Sequence, residues 1–124
     1  MTELRNEYGD IPCTQDTSTF HDAIREICET HDAMPKTHPF TTARMLDSLI
    51  GKVLEPQCLH PTFIVGHPLA LSPLSRSCEN EFGDIVSERF ELFAAGKELI
   101  TAYSELNDPR DQRERVKLQT SARE

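Results

Sequence analysis

The chain has 124 residues, four cysteines and a formal net charge of −8. This length suits a single domain with its own core, and the acidic balance provides no overall basic field for a nucleic acid. No apolar run approaches the roughly 20 residues that a membrane-spanning helix requires, so we expect no contact with a membrane.

The cysteines are too far apart in the sequence to form a C-x-x-C pair. Zinc sites usually have closely spaced ligands, and disulfide frameworks are typical of small secreted proteins. We therefore expect neither a metal cluster nor a disulfide framework from Cys13, Cys28, Cys58 and Cys78.

Two segments in the first half of the chain have the periodicity of amphipathic helices. Apolar residues recur at helical spacing over residues 18–31, and Thr17 or Ser18 is a suitable N-cap. The same spacing over residues 41–54 predicts a second helix, in which Gly51 either allows close packing or marks a weak turn. Residues 1–16 are polar and are broken by glycine and proline, which predicts irregular structure.

A short apolar run and a proline-rich loop follow the second helix. Residues 61–65 are rich in β-forming side chains and predict a strand that is buried on both faces. Residues 68–77 predict a loop, and residues 78–85 predict an exposed connection.

The most regular pattern lies in residues 87–108, which predict a β-hairpin that leads into a helix. Apolar and polar side chains alternate over residues 88–95 and 98–106, and Gly96-Lys97 predicts the turn between them. Asp108 suits a helix N-cap and Pro109 suits the first helical position.

Three carboxylates lie on the predicted hairpin, at Glu91, Glu98 and Glu105. Strand alternation places Thr101, Tyr103 and Glu105 on one face. Glu98 falls on the opposite face unless a β-bulge or the turn changes its direction. From the residues alone, such carboxylates are typical of a solvated strand.

Four runs of the sequence carry a family resemblance: TTARMLDSLIGKVLE at 41–55, HPTFIVGHP at 60–68, LSPLS at 71–75, and RFELFAAGKELITAYSELNDP at 89–109 followed by RDQRERVKLQ. In this order they resemble class II lysyl-tRNA synthetases. The resemblance covers roughly residues 40–119, with a weaker similarity at residues 3–9 and 24–31. It implies an α+β fold over residues 1–124, as part of a class II synthetase catalytic domain with antiparallel strands and flanking helices.

The resemblance also implies a binding site on the hairpin. Glu91 and Glu98 match the glutamates that hold Mg²⁺ and ATP. Glu105 matches the glutamate that binds the lysine ε-ammonium, and Tyr103 matches the aromatic residue beside the lysine side chain. Thr101 stands where the family usually has asparagine, and it lacks the planar amide that helps to hold lysine. The implied lysine-binding set is Glu98, Thr101, Tyr103 and Glu105, and no catalytic residue is predicted.

The implied reaction is ATP-dependent formation of lysyl-adenylate, followed by transfer of lysine to tRNA(Lys) in a homodimeric enzyme. The three signature motifs of the family are not recognised in these residues. We therefore expect a middle segment of the catalytic domain that is inactive by itself. The cytoplasm is the expected compartment, and a mitochondrial form is left open.

Two alternatives also stay open at this point. One is a lysyltransferase that modifies a translation factor and lacks an anticodon-binding domain. The other is a non-catalytic interaction module derived from a synthetase.

Overall fold

The computed structural model describes residues 18–121, in which two helices precede a set of antiparallel strands and a last helix. Helix α1 spans Ser18–Thr30, helix α2 spans Thr42–Val53 and helix α3 spans Pro109–Ser121. All three agree with the predicted helices. The irregular structure predicted for residues 1–16 lies outside the described residues.

Helices α1 and α2 pack against each other and form an apolar core. The side chains that recur at helical spacing are the ones that this contact buries: Phe20, Ile24, Ile27, Cys28, Met45, Leu46 and Leu49. Thr41 caps helix α2, where its side-chain oxygen accepts a hydrogen bond from the Arg44 backbone N–H. Burial raises the pKa of the Cys28 thiol to about 11, so this side chain stays protonated as part of the core.

The strands form two antiparallel sheets. Strands β1 (Thr62–Val65), β4 (Arg89–Ala94) and β5 (Lys97–Tyr103) form a three-stranded sheet in the order β1-β4-β5. Strands β2 (Ser77–Glu79) and β3 (Ile85–Ser87) form a separate hairpin. Together with the helices, these sheets give the α+β architecture that the sequence predicts. The β2–β3 hairpin takes the place of the exposed connection predicted for residues 78–85.

Strand β1 is exposed on one face, so the prediction of a strand buried on both faces is wrong. Phe63 is 63% exposed and Val65 is 67% exposed, whereas Thr62 and Ile64 on the other face are half-buried. Strand β1 lies at the edge of its sheet and has one covered face. A short apolar run indicates a strand, but it does not reveal how many faces another element covers.

The predicted hairpin of β4 and β5 is present, but its turn lies at Ala95-Gly96 and not at Gly96-Lys97. Ala95 has φ of 53° and Gly96 has φ of 68°. Two-residue turns with positive φ match the twist of the flanking strands. The N–H groups of these two residues donate to the carbonyls of Leu59 and Cys58, each at 3.0 Å, so the turn is fixed to the segment before β1. Lys97 is therefore the first residue of β5.

Helix α3 begins as predicted and is tied to the loop before β2. The Asp108 carboxylate accepts hydrogen bonds from the backbone N–H of Arg110 at 2.8 Å and of Asp111 at 3.4 Å. Arg115 donates to the Ser75 carbonyl at 2.9 Å and also pairs with Asp111. The helix is thereby joined to the loop of residues 71–75.

We expect Gly96→Ala to destabilise the chain by about 1–2 kcal/mol, because an L-residue is disfavoured by that much in the left-handed conformation. Gly51→Ala is the matched control and is expected to stabilise it by about 1 kcal/mol. Gly51 is helical, and an added Cβ would approach only the Glu55 carboxylate, no closer than 3.7 Å. Urea unfolding followed by circular dichroism measures both changes. The same sign for both variants would contradict this account.

Candidate functional site

The central strand β4 and its neighbour β5 present the polar residues of the predicted site. In their antiparallel register, Arg89 is opposite Tyr103 and Glu91 is opposite Thr101. Directly opposite residues of an antiparallel pair lie on the same face of the sheet. The side chains of these four residues therefore share one face, which we call the polar face.

A β-bulge in β5 brings a further carboxylate to the polar face. Leu92 pairs with Ile100, whereas the next residue, Phe93, pairs with Glu98, so that Leu99 is the extra residue. In an unbroken ladder Phe93 would instead face Leu99, and Glu98 would lie on the opposite face. A β-bulge is therefore present, which was one of the possibilities for Glu98 in the sequence analysis. Because of it, the Glu98 side chain lies on the polar face.

Glu105 lies two residues beyond the end of β5, beside the loop of residues 71–75. It forms a β-bridge with Ser75, and the adjacent hydrogen bonds run from Arg76 N to Ser104 O at 2.8 Å and from Leu106 N to Leu74 O at 2.9 Å. The backbone at Glu105 is thus fixed from both sides, while the residue itself is exposed.

Glu91 is buried, although it is an acidic residue on a sheet face. It is 8% exposed, and Arg89 pairs with one of its carboxylate oxygens. His67 Nε2 lies 3.3 Å from the other oxygen. Burial lowers the pKa of His67 despite the nearby carboxylate, so the imidazole is neutral at pH 7 and Arg89 supplies the positive charge.

A further carboxylate, Glu55, lies close to the polar face. It belongs to the short 3₁₀ turn Glu55–Gln57 that follows helix α2. Its pKa is raised by burial first, and then by the negative charges of Glu91, Asp47 and Glu98. Several carboxylates therefore lie near one another around Glu55, and Arg89 pairs with only one of them, Glu91.

This concentration of carboxylates suits a divalent cation that also contacts a phosphate. Within residues 18–121, no group of three or more histidine, cysteine or acidic side chains could hold a metal ion by itself. Mg²⁺ is usually bound through one or two carboxylates together with substrate phosphates. Glu91 and Glu98 fit that arrangement, since both lie on the polar face and both raise the pKa of Glu55.

Of the predicted carboxylates, Glu98 and Glu105 are exposed, whereas Glu91 is buried. A cleft of about 700 Å³ lies beside the β2–β3 hairpin, with Phe82 and Phe90 among its lining residues. Tyr103 also lines this cleft, whereas Glu91, Glu98, Thr101 and Glu105 do not.

Sequence reasoning missed three residues around Glu91 and Glu98. Arg89 could have been found, because it lies two residues before Glu91 on the same face of one strand. His67 and Glu55 lie near Glu91 in space but are distant from it in the sequence. No local sequence pattern indicates that these residues are neighbours.

Comparisons with known proteins identify the family. The model of tRNA synthetases class II (D, K and N) matches residues 4–124. The chain belongs to this family of class II tRNA synthetases. Its polar face therefore belongs to a class II synthetase domain, as the sequence predicts.

This class II synthetase chain is similar to several lysine–tRNA ligases. It is 45% identical over 98 residues to a probable cytoplasmic lysine–tRNA ligase of Vairimorpha ceranae. The matched residues make up 79% of this chain and 18% of the relative. It is 52% identical over 82 residues to the corresponding protein of Encephalitozoon cuniculi, covering 66% of the chain and 16% of the relative. The lysine–tRNA ligase of Listeria monocytogenes is 40% identical over all 124 residues, with 24% of the relative covered. The chain thus spans about a fifth of the length of these relatives.

Between residues 18 and 121, no helix combines the length and the apolar character that a membrane span requires.

Glu55→Gln is expected to raise the melting temperature at about pH 7.5. The folded chain raises the pKa of Glu55, so the folded state binds this proton more tightly than the unfolded state does. The ionised side chain therefore costs stability above the unfolded pKa of about 4.3, and the cost disappears as the pH falls below it. The advantage of Glu55→Gln should shrink at about pH 4.5. Glu114→Gln, an exposed residue of α3, is the control, and an equal gain from both variants would refute the interpretation.

Proposed function

We propose that residues 1–124 are part of the catalytic domain of a lysine–tRNA ligase, and that they supply contacts to Mg²⁺–ATP and to lysine. The observation that carries this proposal is the register of β4 and β5, which places Glu91, Thr101 and Tyr103 on one face and, through the bulge at Leu99, adds Glu98 to it. The names of the Vairimorpha, Encephalitozoon and Listeria relatives support the choice of lysine as the amino acid.

Glu91 and Glu98 are the proposed contacts to Mg²⁺–ATP. When bound there, Mg²⁺ would neutralise phosphate charge and orient the phosphates. Glu91 lies on the central strand, where Arg89 pairs with its carboxylate and the neutral His67 ring lies beside it. Glu98 is exposed next to the turn. Of the two proposed ligands, Glu91 is therefore fixed in position and Glu98 is accessible to solvent.

Glu98, Thr101, Tyr103 and Glu105 are the proposed contacts to lysine. A carboxylate at Glu105 would form a charge-assisted bond with the ε-ammonium, worth roughly 1.5–3 kcal/mol. An amino acid without that amine would leave the carboxylate unpaired, which gives selectivity. The Tyr103 ring, 44% exposed, would cover the aliphatic part of the side chain and favour the cation.

The proposed reaction is formation of lysyl-adenylate and transfer of lysine to tRNA(Lys), in a homodimeric enzyme of the cytoplasm. The names of two relatives, which are called cytoplasmic, support this compartment. Neither a lysyltransferase acting on a translation factor nor a non-catalytic module finds support among these relatives.

A chimaera tests the proposal, in which this chain replaces the matching quarter of the Listeria monocytogenes lysine–tRNA ligase. We expect lysine-dependent ATP–pyrophosphate exchange from the chimaera and none from the 124 residues alone. Glu105→Gln should lower kcat/KM for lysine by about 10–100-fold, which corresponds to a lost bond of roughly 1.5–3 kcal/mol. Thr101→Asn should raise it, because asparagine restores the planar amide.

The control in the chimaera is Glu114→Gln, which removes the same charge from the exposed surface of helix α3. A folded chimaera whose exchange is equally insensitive to Glu105→Gln and Glu114→Gln would overturn the proposed lysine site.

A further inference from the structure

Besides its contact with Glu91, Arg89 makes two hydrogen bonds that the proposed function does not use. One end of its guanidinium, Nη2, pairs with Glu91 Oε1. The other end, Nη1, donates to the Ser72 hydroxyl at 2.8 Å and to the Leu71 carbonyl at 3.3 Å. A single side chain therefore connects a carboxylate of the central strand with the loop that follows β1.

The loop reached by Arg89 is itself anchored. The Ser87 backbone N–H donates to the His67 carbonyl at 2.8 Å, and the Ser87 hydroxyl donates to the Pro68 carbonyl at 3.4 Å. His67 is 4% exposed, and its Nε2 lies 3.3 Å from Glu91 Oε2. The His67 ring therefore lies next to Glu91 without a hydrogen bond to it, and Arg89 is the group that binds the carboxylate.

These contacts leave Glu91 able to bind a cation. An ionised carboxylate offers about four lone-pair sites, and the hydrogen bond from Arg89 occupies one of them. Without Arg89, the carboxylate would be buried beside Glu55 and Glu98 with no positive partner in this cluster, which is strongly unfavourable.

We propose that Arg89 is a positioning residue that joins the Glu91 carboxylate to Leu71 and Ser72. The forked guanidinium is required, because its two ends donate in different directions at the same time. A lysine keeps the charge but has a single ammonium at the end of a flexible stem. The consequence for Mg²⁺ binding at Glu91 rests on the proposed function, whereas the connection between Glu91 and the loop does not.

The test uses the full 124-residue chain, labelled for NMR, with Mn²⁺ as the paramagnetic probe. Arg89→Lys should shift the Glu91 carboxyl carbon and the Leu71 and Ser72 amide signals together. Glu91→Gln should also shift the Ser72 amide, although the two residues make no direct contact. Groups that orient a metal ligand typically account for 10–100-fold in affinity, so Arg89→Lys should raise the Mn²⁺ concentration for half-maximal broadening of Glu91 and Glu98 about tenfold.

Arg113→Lys, at an exposed position on helix α3, is the matched control and should change none of these signals. The amide signals of Met45 and Leu46 in the helical core report whether each variant is folded. Wild-type Ser72 and Glu91 signals in a folded Arg89→Lys variant would overturn the proposal. If Mn²⁺ broadens neither Glu91 nor Glu98 in the wild-type chain, the metal role fails, and the coupled shifts of Ser72 and Glu91 still decide the positioning role.

Discussion

The extra residue Leu99 in β5 determines which side chains the polar face presents. Side chains alternate along a strand, so a shift of one residue moves every following side chain to the other face. The bulge occurs between the pairs Leu92–Ile100 and Phe93–Glu98. Thr101 and Tyr103 lie opposite β4 in the regular part of the ladder, and the bulge places Glu98 on the same face as they are. The proposed metal contacts and the proposed lysine contacts meet on one surface for this reason.

The second constraint on the site is that Glu91 is buried near two other carboxylates, Glu55 and Glu98. The raised pKa of Glu55 shows that burial and the neighbouring carboxylates already disfavour ionisation nearby. The positive charge of Arg89 compensates the negative charge of the buried Glu91, and both residues lie on the same face of strand β4. A buried ion pair of this kind contributes little net stability, but it fixes a carboxylate where Mg²⁺–ATP is proposed to bind.

The sequence predicts the helices and the hairpin well because each depends on a local period or on a local end signal such as Asp108-Pro109. It predicts the turn one residue too late, since Gly96 tolerates either position and Ala95 gives no sign of its positive φ. The bulge has no local signature either, because Leu99 suits a regular strand equally well. The exposure of β1 and the contact between His67 and Glu91 depend on tertiary packing, which a sequence period does not encode.

The register of the β4–β5 hairpin can be measured directly by NMR, through nuclear Overhauser effects between backbone protons of opposite residues. This account predicts cross-strand contacts between Phe93 and Glu98 and between Leu92 and Ile100, with Leu99 unpaired. Contacts between Phe93 and Leu99 in an unbroken ladder would contradict it, because Glu98 would then lie on the face opposite Glu91.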